Sequence, residues 1–129
     1  QSLSAAAFVG AVDLSEDMLR GAALMYAAGT PLDDPLLSPL RADLTGLPPA
    51  HVMTAGRDPL REQGEAYALR LRQAGVAATH SLHPAALHGS GFLTGSWPVA
   101  RQWRDEVLAV LSRVHGGAAQ GRESREGAA

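Results

Sequence analysis

Apolar positions recur along this chain in two rhythms, and the changes between them mark out its elements. From about Ser15 to Ala28, Leu19, Ala22 and Tyr26 fall on one helical face and Met18 and Met25 beside it, with Asp13 and Glu16 spaced as a capping box and Gly29 as a stop. Thr30 to Pro49 then carries Pro31, Pro35, Pro39, Pro48 and Pro49, each of which disfavours helix in the residue before it. This stretch is expected to wander over a surface. Ala50 to Ala55 (AHVMTA) is a short, mostly apolar run between Pro49 and Gly56, the pattern of a strand covered on both faces.

A second helix is predicted from about Arg61 to Ala74, following Asp58-Pro59 and stopping at Gly75. Leu60, Gly64, Tyr67, Ala68 and Leu71 make its inner face, and Arg61, Glu62, Glu65, Arg70 and Arg72 largely take the wet side. Val76 to Leu82 (VAATHSL) alternates as a strand nearer a sheet edge does. After a Gly-rich loop from His88 to Gly95, a last helix from Pro98 to about His115 carries the stripe Val99, Trp103, Val107, Val110, Leu111 and Val114, spaced to bury one side against a sheet. Gly116 to Ala129 holds no large apolar residue and is expected to be a disordered tail.

The order helix, loop, β, α, β, α implies an α/β fold with parallel strands, because a strand–helix–strand unit crosses over and returns in the same direction. Asp58 and His88 each lie just past the end of a predicted strand, so both should open onto one edge of the sheet, where α/β proteins place their chemistry. A carboxylate bonded to one imidazole nitrogen fixes the tautomer and frees the other nitrogen to act as a base. The usual client of such a pair is missing. No serine lies in a Gly-x-Ser-x-Gly turn, and there is no cysteine.

Composition narrows the function without naming it. A chain of 129 residues, 46% hydrophobic and 19% charged, is globular and is one domain or part of one. The net charge of −2 gives no electrostatic footprint for nucleic acid or an anionic membrane. No apolar run approaches the roughly 18 residues of a spanning helix. The absence of cysteine fits a reducing compartment, so a cytoplasmic location is expected. The chain starts at Gln1 with no initiator Met and no basic flank to its short apolar run, and Gln1 is read as an internal residue of something longer.

Each candidate has a plainer reading. From spacing alone, Asp58 before Pro59 is better explained as a lead-in to the helix than as a catalytic acid. His88 alone could be a turn histidine. His80 and His83 are three apart and would face opposite sides of a strand, so with His88 they make a poor metal site. His51 and His115 are given no role. Ser90 sits too near His88 in one loop to serve as its nucleophile, and Gly89-Ser90-Gly91 lacks the Lys and the spacing of a phosphate-binding loop. Trp97 and Trp103 read as packing residues ahead of substrate platforms, and Met18, Met25 and Tyr26 as helix packing contacts ahead of an acyl pocket, by a narrower margin. No cofactor is expected.

Three blocks of sequence tip the balance. DPLLSPL with LTGLPPA, Asp58-Pro59-Leu60-Arg61 followed by Gly64-Glu65-Ala66-Tyr67-Ala68, and His83-Pro84 to His88-Gly89 resemble the C-terminal part of the hormone-sensitive-lipase-like family of α/β-hydrolases, the esterases with the fold-3 domain. The resemblance implies that residues 1–49 are a helix and loop of the cap region, 50–115 the β-α-β-α end of the hydrolase core, and 116–129 a tail. It also implies that Asp58 and His88 are the acid and base of a Ser-Asp-His triad acting on a small ester, the serine and oxyanion loop lying upstream. Where family members follow the histidine directly with Gly-Phe, this chain reads His88-Gly89-Ser90-Gly91-Phe92. A truncated, non-catalytic binding or assembly module is the alternative. Cut from its neighbours, the sheet edge is expected to self-associate.

Overall fold

Glu16–Ala27 form helix α1, Ala50–Arg57 strand β1, Arg61–Gln73 helix α2, Ala78–Leu87 strand β2 and Pro98–Glu126 helix α3, with 3₁₀ turns at Pro39–Arg41 and Ser90–Leu93. The computed structural model describes residues 15–95 and 97–126. They divide into two units, with the boundary after His88.

In the first unit, β1 and β2 form a two-stranded parallel sheet in which Ala50 pairs with Ala78 and Ala55 with His83. This is the parallel pairing the sequence predicts. Both strands outrun their predicted ends: β1 continues through Gly56 to Arg57, and β2 runs to Leu87. Pro84 argues against a strand there, since proline has no N–H for a ladder. The register resolves the conflict. It shifts between Ala55 and Arg57, whose partners are His83 and Leu87, so Pro84 lies in a bulge where the regular ladder is interrupted. At its other end β2 starts later than predicted because Val76 is used to close the preceding helix.

That closure fixes the core. Gly75 takes φ +80°, the Gly75 N–H donates to the Arg72 carbonyl and the Val76 N–H to the Leu71 carbonyl, both at 3.0 Å. These are the two bonds of a Schellman motif, whose usual apolar contact is Val76 on Leu71. Leu71 and Val76 form the buried core with Leu44, and Ala42, Ala50, Val52, Tyr67, Ala74 and Ala78 pack around it. Leu44 corrects the expectation of a wandering loop. The segment is pinned by that side chain and by the Arg70 guanidinium, which donates to the Ala42 carbonyl at 3.1 Å instead of facing water as the helical pattern suggests. Beside it Asp43 accepts the Thr45 N–H at 2.9 Å, and the backbone and hydroxyl bonds from Thr45 hold its carboxyl below the usual range.

Helix α1 departs from its pattern at its C-terminal end. Ser15 is the N-cap, its hydroxyl accepting the Met18 N–H at 3.2 Å; the capping box expected from Asp13 and Glu16 rests on Asp13, which lies outside the described residues. The left-handed turn begins at Ala28, one residue before Gly29. Met18, Met25 and Tyr26, read from the sequence as packing residues, are exposed, Met25 and Tyr26 by 84% and 83%.

In the second unit, Gly91 lies against the Trp103 indole, which carries the 3₁₀ turn onto α3. The α3 stripe is half-buried from Val99 to Val110, while Leu111 and Val114 are exposed. The helix continues past His115 to Glu126, where composition suggests a tail. Ala, Gln, Arg and Glu all favour helix, which offsets part of the cost of Gly116 and Gly117. No helix among the described residues is long and apolar enough to cross a membrane.

Two predictions follow from this packing. A Cβ at Gly64 would come within 2.7 Å of Thr54 Cγ2, and Thr54 is buried with its hydroxyl 2.8 Å from His80 Nε2, so its rotamer is held. Gly64→Ala therefore destabilises by up to about 2 kcal/mol, overpacking of about 1–3 kcal/mol being set against the roughly 1 kcal/mol gained in helix propensity. Thr54→Ser removes the obstructing methyl, and a double-mutant cycle read by thermal or urea unfolding should recover most of the loss. Separately, no third strand flanks β1 or β2 among the described residues. The isolated chain is expected to self-associate and bind a hydrophobic dye. A sharply melting, dye-free monomer in sedimentation would contradict that.

Candidate active site

Strand β1 ends at Arg57 and the chain turns at once into α2, leaving Asp58 at the junction. Pro59 is buried there and Asp58 Oδ1 accepts the Leu60 N–H at 2.8 Å, a local turn that leads the chain into the helix. Its charge also suits the positive end of the helix dipole. The plain reading of Asp58 is therefore correct, and it uses one oxygen.

The second oxygen reaches the other strand. Asp58 Oδ2 lies 2.9 Å from His88 Nδ1, and His88 follows directly on β2, whose last residue Leu87 pairs with Arg57. Parallel pairing thus brings together two residues that are distant in sequence. An ionised carboxylate can only accept, so facing it the neutral ring would carry its proton on Nδ1 and leave the lone pair on Nε2. The acid side chain is 13% exposed and the imidazole 47%, which leaves the carboxylate largely dry and the ring within reach of a reactant. Such a ring is a base with a fixed tautomer. The imidazolium formed when Nε2 takes a proton is stabilised by the carboxylate.

The remaining histidines do other things. His80 is tied to Thr54 on the face that α2 covers, and His51 Nδ1 lies 2.6 Å from Thr79 Oγ1 on the opposite face. His83 pairs with Ala55 and so faces away from His80. No group of three His, Asp or Glu placed to hold a metal occurs among the described residues. Ser90 is buried in the 3₁₀ turn that takes up the extra Ser90-Gly91 pair, and that pair leaves the Asp58–His88 bond intact.

Periodicity misplaces one residue close to the pair. Arg61, assigned to the wet side of its helix, turns its guanidinium back to donate from Nη1 to the Gly56 carbonyl at 3.2 Å. Only its place immediately after Asp58-Pro59-Leu60 hinted at this. Gly56 has no space for a side chain, since a Cβ would meet the Pro84 carbonyl oxygen and Cα.

The bond from Nδ1 sets a direct test. Ring ¹⁵N shifts of the labelled chain should show neutral His88 with its proton on Nδ1, and Asp58→Ala should remove that preference. A ring with its proton on Nε2 in the parent chain would refute the geometry.

Comparison with known proteins agrees with this architecture. A family model described as the alpha/beta hydrolase fold matches residues 4–94. Carboxylesterase NlhH of Mycobacterium tuberculosis is 36% identical over 106 residues, covering 78% of this chain and 33% of NlhH. The carboxylic ester hydrolase LipN of the same organism is 51% identical over 88 residues, covering 63% and 23%. Among solved structures, a mutant of LAE6, an α/β-hydrolase enzyme from the metagenome of Lake Arreo, superposes with a TM-score of 0.78 at 39% identity, covering 90% of this chain and 37% of LAE6. An esterase of Pyrobaculum calidifontis gives 0.77 at 30% identity, covering 88% and 38%. The chain spans about a third of the length of NlhH, the first of these relatives. With a parallel β-α-β unit and a matching model over most of its length, the chain belongs to the α/β-hydrolases, in their hormone-sensitive-lipase-like fold-3 family.

Proposed function

We propose that this chain is the C-terminal part of a serine carboxylic-ester hydrolase, in which Asp58 and His88 are the acid and base of a Ser-Asp-His triad. The observation that carries the reading is the 2.9 Å contact between Asp58 Oδ2 and His88 Nδ1 at the ends of adjacent parallel strands. The names of NlhH and LipN, both ester hydrolases, support the reaction class. The nucleophile and the oxyanion-binding N–H groups come from outside these 129 residues, since no serine here lies in a Gly-x-Ser-x-Gly turn. On this reading α1 and the proline-rich segment belong to the cap over the site, and 50–115 to the catalytic core. The protein works in the cytoplasm, a placement supported by its lack of cysteine.

The chemistry then runs in two steps. His88 Nε2 takes the proton of the serine hydroxyl as that oxygen attacks the ester carbonyl, and returns it to the departing alcohol. A water molecule, deprotonated by the same nitrogen, hydrolyses the acyl-enzyme. Asp58 holds the ring and its tautomer throughout and stays ionised.

The isolated chain should hydrolyse p-nitrophenyl acetate and butyrate no faster than its His88→Ala variant, and a fluorophosphonate probe should label none of its serines. Joined to the upstream part of NlhH in place of the aligned segment, it should supply the missing acid and base. Asp58→Ala or His88→Ala in that chimera should lower kcat/KM by roughly 10³-fold or more. An active chimera indifferent to both changes, or a labelled serine in the isolated chain, would overturn the proposal.

A further inference from the structure

We infer that Arg61 is a positioning residue for the Asp58–His88 pair, acting through the Gly56 carbonyl at the bulge between β1 and β2. This rests on the reading of that pair as acid and base. Pro84 contributes no N–H at the bulge, so the regular pattern of donors from β2 is broken beside Gly56. The helix adds a donor of its own: Arg61 Nη1 bonds the Gly56 carbonyl at 3.2 Å. Gly56 is pressed against Pro84 without room for a Cβ, so its backbone has little space in which to shift.

Arg61 holds the chain on both sides of the acid. Its backbone N–H donates to the Asp58 carbonyl at 3.1 Å, while its guanidinium holds the carbonyl two residues earlier. Glu65 Oε1, one helical turn on, lies 3.5 Å from Arg61 Nε, an ion-pair distance at which Nε makes no hydrogen bond. Between these holds the Asp58 carboxylate has little freedom, and it must present Oδ1 to the Leu60 N–H and Oδ2 to His88 together. A loose Gly56 would let β1 slide at its last pairing, Arg57 with Leu87, which sets the distance from Asp58 to His88. Arg61 touches neither reacting atom in this scheme.

The test reads the ratio of Nδ1–H to Nε2–H tautomers of neutral His88 in the ¹⁵N-labelled 129-residue chain, with thermal unfolding measured alongside. Arg61→Met should lower the ratio roughly fivefold or more, the effect expected when one hydrogen bond is lost. Arg61→Gln, polar and helix-compatible but too short to reach Gly56, should do the same and carries the test if the Met variant does not fold. Arg61→Lys should restore much of the parent ratio. Leu71→Ala, which removes a core side chain 1% exposed, should lower thermal stability and leave the ratio alone. A parent ratio in Arg61→Gln, or an equal fall in Leu71→Ala, would overturn the role of Arg61 and leave the acid–base reading intact. A parent chain that itself favours Nε2–H would sink the acid–base reading, and this inference with it.

Discussion

Parallel pairing of β1 with β2 is the constraint on which the rest depends. Two parallel strands cannot be joined by a tight turn, so α2 must carry the chain back, and both strands then end at the same edge. Asp58 and His88 meet because each is the first residue past its strand. The antiparallel alternative would put the carboxyl ends of the strands at opposite edges. The ladder and the helix that crosses it therefore do most of the positioning, and the residues at the edge need only local adjustment.

That adjustment is shared out over very few atoms. The two oxygens of Asp58 do separate work, one leading the chain into α2 and the other holding the imidazole. The structural and the chemical readings of this residue thus describe one arrangement. Tying a carboxylate to the start of a helix limits its freedom to turn, since one oxygen is already committed to the Leu60 N–H. The bulge at Gly56 and Pro84 serves the same end. It lets β2 run past a proline and still bring Leu87 opposite Arg57, one residue short of the histidine.

Elsewhere several large apolar side chains stand in water. The core of the first unit is small, built on Leu44, Leu71 and Val76, while Met25 and Tyr26 on α1 are almost wholly exposed.

The sequence by itself determined the elements, their order and the two residues at the sheet edge. Apolar periodicity separates helix from strand over short windows, and Gly75 and Pro59 punctuate α2 through backbone conformation alone. Such signals are local. The length of β2 was not legible, because whether Pro84 ends a strand depends on the bulge opposite Gly56, which only the paired strand creates. Nor was the anchoring of the proline-rich segment, since Leu44 and the Arg70 bond to Ala42 reach across to α2 from a stretch with no period of its own. Arg61 and Arg70 look solvent-facing by helical spacing, yet long side chains can fold back to backbone carbonyls that spacing does not register. The 2.9 Å between Asp58 and His88 belongs to the same class: the sequence named both residues, and only the register of two strands set the distance.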